Sequence, residues 1–346
     1  MKALNLYGVG DLRYENAPMP QRKTGEVLLK IRAVGICGSD IPRVFEKGTY
    51  HFPTIIGHEF AGEIVEAEDD ALIGRGAAVF PLLPCGKCEE CRTEHYAQCA
   101  DYDYYGSRRD GAMAEYLAVK RENLCVMPEG VSYEEAAMCE PTAVALHAFQ
   151  KCGVGIGDTL LIYGIGAIGL ILAQWARGAG VKNIILAART DDKVEFARKL
   201  GFSLVINAER EDAEEFVNKI TDGRGADASV EGTGESESWG RCISCVKTHG
   251  TVVCMGNPTR SMQLSQNDYW KILRKELRIV GTWNSSFGER HNDWKEALRG
   301  MREKKLDLLP LITHRFSLED YQEAFRLMRE RKEMYCKVMF VNENIR

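Results

Sequence analysis

Four cysteines crowd the stretch CGKCEECRTEHYAQC, as Cys85, Cys88, Cys91 and Cys99 in the spacing C-x2-C-x2-C-x7-C. Four thiolates so close along a chain can wrap a tetrahedral Zn2+ and leave no open position, which is the chemistry of a structural site. An iron–sulfur cluster is the alternative, although the fourth cysteine stands farther off than in compact ferredoxin runs. Disulfides are disfavoured. The chain begins MKALNLYGVG, without an apolar secretory segment, and its 12 cysteines then suit a reducing, cytoplasmic compartment.

A second set of metal-ligand types is dispersed. It comprises Cys37 in GICGSD, His58 and Glu59 in GHEFAGE, and Glu140 in CEPTAVALHA. Each alone has an ordinary alternative: a packed core thiol, a hydrogen-bonded histidine, a helix-start carboxylate. A third pattern, YGIGAIGLILAQWA, places Gly164, Gly166 and Gly169 in G-x-G-x-x-G, with Ala167 and Ile168 inside the motif. It follows the apolar run TLLIY and opens a helical pattern, the setting in which such glycines let a pyrophosphate approach a helix N-terminus.

The strand after that helix, IILAARTDDK, ends at Ala188 and Arg189, where an acidic residue would hold the adenosine ribose of NAD. Without that acid a 2'-phosphate meets no repulsion, and Arg189 offers it a forked cation. Lys193 adds charge one helical turn later. Arg189 and Lys193 also fit a solvated face, but the pattern points to NADP(H), with NAD(H) as the alternative.

Two textures position these residues. Residues 1–142 carry short β-like runs and turns, which suit a mostly antiparallel, barrel-like domain, completed by 282–346. Residues 143–281 alternate strands with helices. TLLIYG, NIILAA, SLVINA, ASVEGT, TVVCMG and RIVGTW read as six parallel strands of a doubly wound, Rossmann-type α/β sheet. The tail carries helices around DWKEALRGMRE and SLEDYQEAFRLMRE and a final strand, KVMFVN. Cys242 and Cys245 in CISC fall on a predicted helix and read as packing. A net charge of -5 argues against a nucleic-acid partner, and no run reads as a membrane span.

GxCGSD, GHEFAGE, the four-cysteine lobe and EP ahead of GxGxxG together resemble the zinc-dependent medium-chain alcohol and polyol dehydrogenases over nearly the whole chain. The resemblance implies a GroES-like catalytic domain and a catalytic zinc held by Cys37, His58 and Glu140. Glu59 is then a nearby carboxylate that can also bind the metal, and Glu140 in place of cysteine matches the polyol branch. Ser39 occupies the position of the hydroxyl that starts the family's proton relay. Pro42 replaces a histidine found in many relatives, which leaves water or His51 as the proton's exit. A homodimer or homotetramer is implied by the resemblance as well.

GICGSDIPRVFEKGTYHFPTIIGHEF, PLLPC and CADYDYYGSRRDGAMAEYLAVKRENL, followed by LRKEL, are similar to the branch acting on galactitol 1-phosphate. That implies a polyol phosphate as substrate, with Arg43, Arg108 and Arg109 as candidate phosphate ligands. Tyr50, Trp283 and Phe287 are candidate pocket walls. The arginines could equally brace a turn or a subunit contact. An unphosphorylated polyol or secondary alcohol is the alternative substrate, and a non-catalytic NADPH sensor is the reading from another class.

Overall fold

The computed structural model describes residues 1–342. They form two units, residues 1–143 with 286–342, and residues 144–285. The chain first passes from one unit to the other inside the helix Cys139–Cys152.

In the first unit the strand Glu26–Ile36 is the spine. Glu59–Glu66, Tyr116–Lys120 and Lys337–Val341 all pair with it antiparallel. Gly76–Val79 and Leu124–Val126 extend one side of this seven-stranded sheet and Ile312–Phe316 the other. Leu29, Ile31, Val34, Phe60, Ile64 and Phe340 are buried between its strands and the rest of the unit. The C-terminal helix Tyr321–Glu330 adds Phe325 and Met328 to the same core. The expected antiparallel texture has one exception: Ile312–Phe316 runs parallel to Lys337–Val341. The helix between them makes the crossover that a parallel pair requires.

The second unit holds the six expected strands, Thr159–Tyr163, Asn183–Ala188, Val205–Asn207, Ala226–Glu231, Val246–Cys254 and Arg278–Gly281. All are parallel, in the spatial order third, second, first, fourth, fifth, sixth. That is the Rossmann order. Thr159–Tyr163 is buried at every position, as a strand covered on both faces must be, and it therefore reads as an unbroken apolar run. Cys242 and Cys245 are buried in this unit's core, and burial pushes both thiols up, Cys245 to about 12. They pack. Among the described residues no helix is long and apolar enough to cross a membrane.

Candidate metal centres and nucleotide site

The four clustered cysteines converge. Cys88 Sγ lies 3.4 Å from Cys91 Sγ and 3.8 Å from Cys99 Sγ, and Cys85 Sγ lies 3.9 Å from Cys91 Sγ. A disulfide would need about 2.05 Å. Four sulfurs each about 2.3 Å from one zinc sit about 3.8 Å apart, so these separations are those of a tetrahedral edge. Backbone N–H groups at Cys91 and Ala100 hold the Cys88 thiol down to about 6, and those at Lys87 and Cys88 lower Cys85. Cys85 and Cys88 are therefore biased towards thiolate, whereas burial, and then a hydrogen bond with Cys88, push the Cys91 thiol up to about 12.

The dispersed set is assembled by sheet register. Gly35 pairs with Glu59, and Ile36 with Val338. Cys37 and His58 thus lie just past one end of a ladder, with Lys337 beside them. Ligand atoms of Cys37, His58 and Glu59 fall within 4.8 Å of one another, a mixed sulfur, nitrogen and oxygen set that suits Zn2+. Glu140 stands outside that tight group but is buried, in the first turn of its helix. Burial pushes its carboxyl up to about 7, with the charges of His58 and then Glu59 acting on it in opposite senses. Burial, then the Glu59 and Asp40 charges, push the Cys37 thiol up to about 12.

Glu59 is not left alone. Lys337 Nζ donates to Glu59 Oε2 at 2.5 Å and to the Ile36 carbonyl at 3.4 Å, all of it buried. The carboxylate fits only because residue 35 is glycine: a Cβ there would lie 2.3 Å from Glu59 Oε2. Asp40, fully buried, braces the Cys37 loop and faces the His58 ring. It accepts from the Cys37 N–H at 2.9 Å and from Arg43 at 2.6 Å. His58 Nδ1, buried and without a hydrogen bond, is 3.6 Å from Asp40 Oδ1. A carboxylate behind the ring is what orients a metal-binding histidine. Ser39 is exposed, and its N–H donates to Cys37 Sγ at 3.5 Å.

The substrate-side arginines separate clearly. Arg43 is committed to Asp40 at 2.6 Å and Arg109 to Asp103 at 3.1 Å. Arg108 instead lies between two rings, 4.2 Å from the centre of Tyr50 and 4.3 Å from Tyr102, and donates to the Tyr50 hydroxyl at 3.3 Å. Tyr102 meets Tyr104 edge-on, and Tyr104 meets the His58 ring edge-on at 5.7 Å. His51, the candidate proton exit, has its ring nitrogens 3.1 Å from the Pro53 carbonyl and 3.0 Å from that of Arg108. Phe287 stacks on Phe80 and meets Trp294 edge-on, which is core packing, and Trp283 is exposed.

In the second unit the three glycines have distinct geometries. Gly164 turns at φ +97°, where a Cβ would meet Thr233 at 2.9 Å. A Cβ on Gly169 would lie 2.2 Å from the Gly164 carbonyl, so the helix can pack on the turn only without one. At Gly166 nothing lies within 4 Å of a Cβ, which leaves open the space a pyrophosphate needs. Gly166 caps the helix Ala167–Gly178 with no side chain, so the first-turn N–H groups, among them those of Ala167 and Ile168, are free for an anion. The residues present fit a dinucleotide.

Ala188 is buried at the end of its strand and Arg189 is exposed just beyond it. Arg189 lines a cleft of about 380 Å3 with Thr190, Asp191, Asp192, Asn207, Glu209 and Arg210. Lys193 lies one turn farther along the helix Asp191–Lys199 and does not line it.

Residues 23–129 match the alcohol dehydrogenase GroES-like domain family, and residues 167–303 the zinc-binding dehydrogenase family. The chain is 35% identical over 337 residues to galactitol 1-phosphate 5-dehydrogenase of Escherichia coli strain K12, covering 96% of this chain and 97% of that protein. This chain belongs to the zinc-dependent medium-chain alcohol and polyol dehydrogenases. It is an oxidoreductase of a family that binds zinc and NAD(P). Sorbitol dehydrogenase of Bacillus subtilis strain 168 is 31% identical over 347 residues, 98% of this chain and 96% of its own length. The crystal structure of galactitol-1-phosphate dehydrogenase from Escherichia coli superposes with a TM-score of 0.92 at 34% identity, covering 99% of this chain and 100% of that one. Within this dehydrogenase, sequence motifs had not pointed to Lys337, Asp40, Gly35 or Arg210. Asp40 and Gly35 do lie inside the GICGSD stretch that carries Cys37. Lys337 carried no local signal, because only the sheet register brings it to Glu59.

Proposed function

We propose that this dehydrogenase transfers hydride between a secondary alcohol of a polyol phosphate, galactitol 1-phosphate or a close analogue, and NADP(H). Cys37, His58 and Glu140 would hold the catalytic Zn2+, and Cys85, Cys88, Cys91 and Cys99 the structural one. When bound, the ion would supply Lewis acidity towards the substrate oxygen and the nicotinamide a hydride acceptor. The chain's own residues do the remaining work. Asp40 fixes the Cys37 loop and faces the His58 ring. Lys337 balances the Glu59 charge and sets how readily that carboxylate turns towards the metal. The Ser39 hydroxyl, beside Cys37, takes the alcohol proton and passes it to water. With Nε2 3.0 Å from the Arg108 carbonyl and Nδ1 3.1 Å from the Thr54 hydroxyl, His51 serves as a brace for the Arg108 backbone.

The observation that carries the phosphate assignment is the Tyr50–Arg108–Tyr102 stack. Among the described residues it leaves Arg108, of the three candidate arginines, without a carboxylate, and its rings lead through Tyr104 to His58. A guanidinium held flat between rings keeps in-plane donors for a phosphate. Cofactor preference rests on buried Ala188 and exposed Arg189. The exposed edge strand Arg278–Gly281, with Tyr269, Trp270 and Leu273 exposed on the nearby helix Gln266–Arg274, supports a homodimer through this face.

The test is a panel of polyols and polyol phosphates assayed with NADP+ and NAD+ on zinc-replete protein. The proposal expects phosphorylated substrates to lead in kcat/KM and NADP+ to be preferred. Turnover confined to unphosphorylated polyols would transfer the enzyme to the sorbitol-type reading.

A further inference from the structure

The cleft beside Arg189 contains a second arginine whose surroundings are informative. Arg210 stands on the turn after Val205–Asn207, and that turn is stiff. The Arg210 N–H donates to the Asn207 carbonyl at 3.0 Å, and the Glu209 N–H donates to Asn207 Oδ1 at 3.0 Å. Glu211 in turn accepts from the Asn207 N–H at 2.9 Å. Asn207 is buried, and its Nδ2 donates to Asp191 Oδ1 at 2.6 Å, which ties the turn to the start of the helix Asp191–Lys199. Arg210 NH1 lies 2.7 Å from the other Asp191 oxygen, Oδ2.

Two consequences follow for a ligand at this strand end. Both oxygens of Asp191 are already engaged, one by an amide and one by a guanidinium, so Asp191 is poorly placed to substitute for the missing ribose acid. The cleft lining also carries three carboxylates, Asp191, Asp192 and Glu209, against the two arginines. Even with both arginines the lining keeps one excess negative charge, so an incoming dianion needs both cations close to it. Arg210 has five N–H donors in a fork and is held to Asp191 by an ion pair, leaving donors to reach across the cleft.

We propose that Arg210 is the second cation of a 2'-phosphate pocket, paired with Asp191 when the cofactor is absent and shared with the phosphate when it binds. Asp191 then acts as a counter-ion that weakens the pocket and keeps Arg210 in place. Asn207 is the positioning residue that fixes both. The assignment rests on the NADP(H) preference proposed above.

Adenosine 2',5'-bisphosphate and adenosine 5'-monophosphate, titrated calorimetrically into the full-length protein, separate the two claims. The wild type should bind the bisphosphate more tightly than the monophosphate. Arg210→Gln should cost the bisphosphate roughly tenfold or more while leaving the monophosphate within about twofold. Asp191→Asn should tighten the bisphosphate several-fold. A wild type that does not favour the bisphosphate would overturn the NADP(H) reading together with this one. A wild type that favours it, but whose Arg210→Gln variant either keeps that preference or loses both ligands equally, would overturn the Arg210 assignment alone.

Discussion

At the scale of single residues, the Glu59–Lys337 pair is the most consequential contact beside the metal ligands. Both side chains are buried, so each charge depends on the other. Removing one partner of a buried pair costs about 3–5 kcal/mol, because the remaining charge keeps its desolvation penalty. Lys337→Met should show that loss in urea unfolding, with Lys337→Arg recovering much of it. Arg108 is proposed to act on the substrate instead. Arg108→Gln should raise KM for a polyol phosphate by roughly 10- to 100-fold, about the strength of a charge-assisted contact, and leave an unphosphorylated polyol unaffected. Protons report on the proposed metal ligands as well. Burial holds Cys37 up to about 12 and Glu140 up to about 7, so both are protonated in metal-free protein on the acid side of neutrality. Zn2+ must displace those protons, and its uptake at this site should weaken as pH falls through about 7. Competition with a chelating dye at several pH values measures it.

At the scale of elements, the glycine loop and the cysteine lobe do opposite things with local backbone. Gly166 faces open space, so Gly166→Val should fold with an unchanged melting temperature yet lose cofactor binding by fluorescence titration. The lobe is proposed to be held together by its Zn2+. Cys88→Ser should lower zinc content from two ions to one per chain and open residues 85–99 to proteolysis. Both elements were legible in the sequence because their determinants are local: ligand spacing in one, turn geometry before a helix in the other. The alternation of TLLIYG, NIILAA and the later runs with amphipathic helices likewise announced a doubly wound sheet. The setting of Glu59 was not legible. It depends on Lys337 arriving from the far end of the chain through the pairing of Val338 with Ile36, which no local pattern encodes. Nor could sequence rank three arginines. Their difference lies in which carboxylate each one meets, Asp40 for Arg43, Asp103 for Arg109 and none for Arg108 among the described residues.

For the whole molecule, the open side of the Arg278–Gly281 strand is where a second copy would extend the sheet. Ile279 on that strand and Leu273 and Trp270 on the preceding helix are exposed, apolar surface that a lone chain would be expected to blunt with charge. Ile279→Lys combined with Leu273→Glu should shift sedimentation towards the monomer, and an unchanged profile would place the interface elsewhere. The claim that ties metal, cofactor and substrate together is NADP-linked oxidation of a polyol phosphate at Cys37, His58 and Glu140. It is tested most directly by kcat/KM of zinc-replete enzyme for galactitol 1-phosphate against galactitol, with NADP+ as acceptor and again after chelation. The account predicts a strong preference for the phosphorylated substrate that disappears with the zinc. Equal turnover of the two substrates, or turnover that survives metal removal, would contradict it.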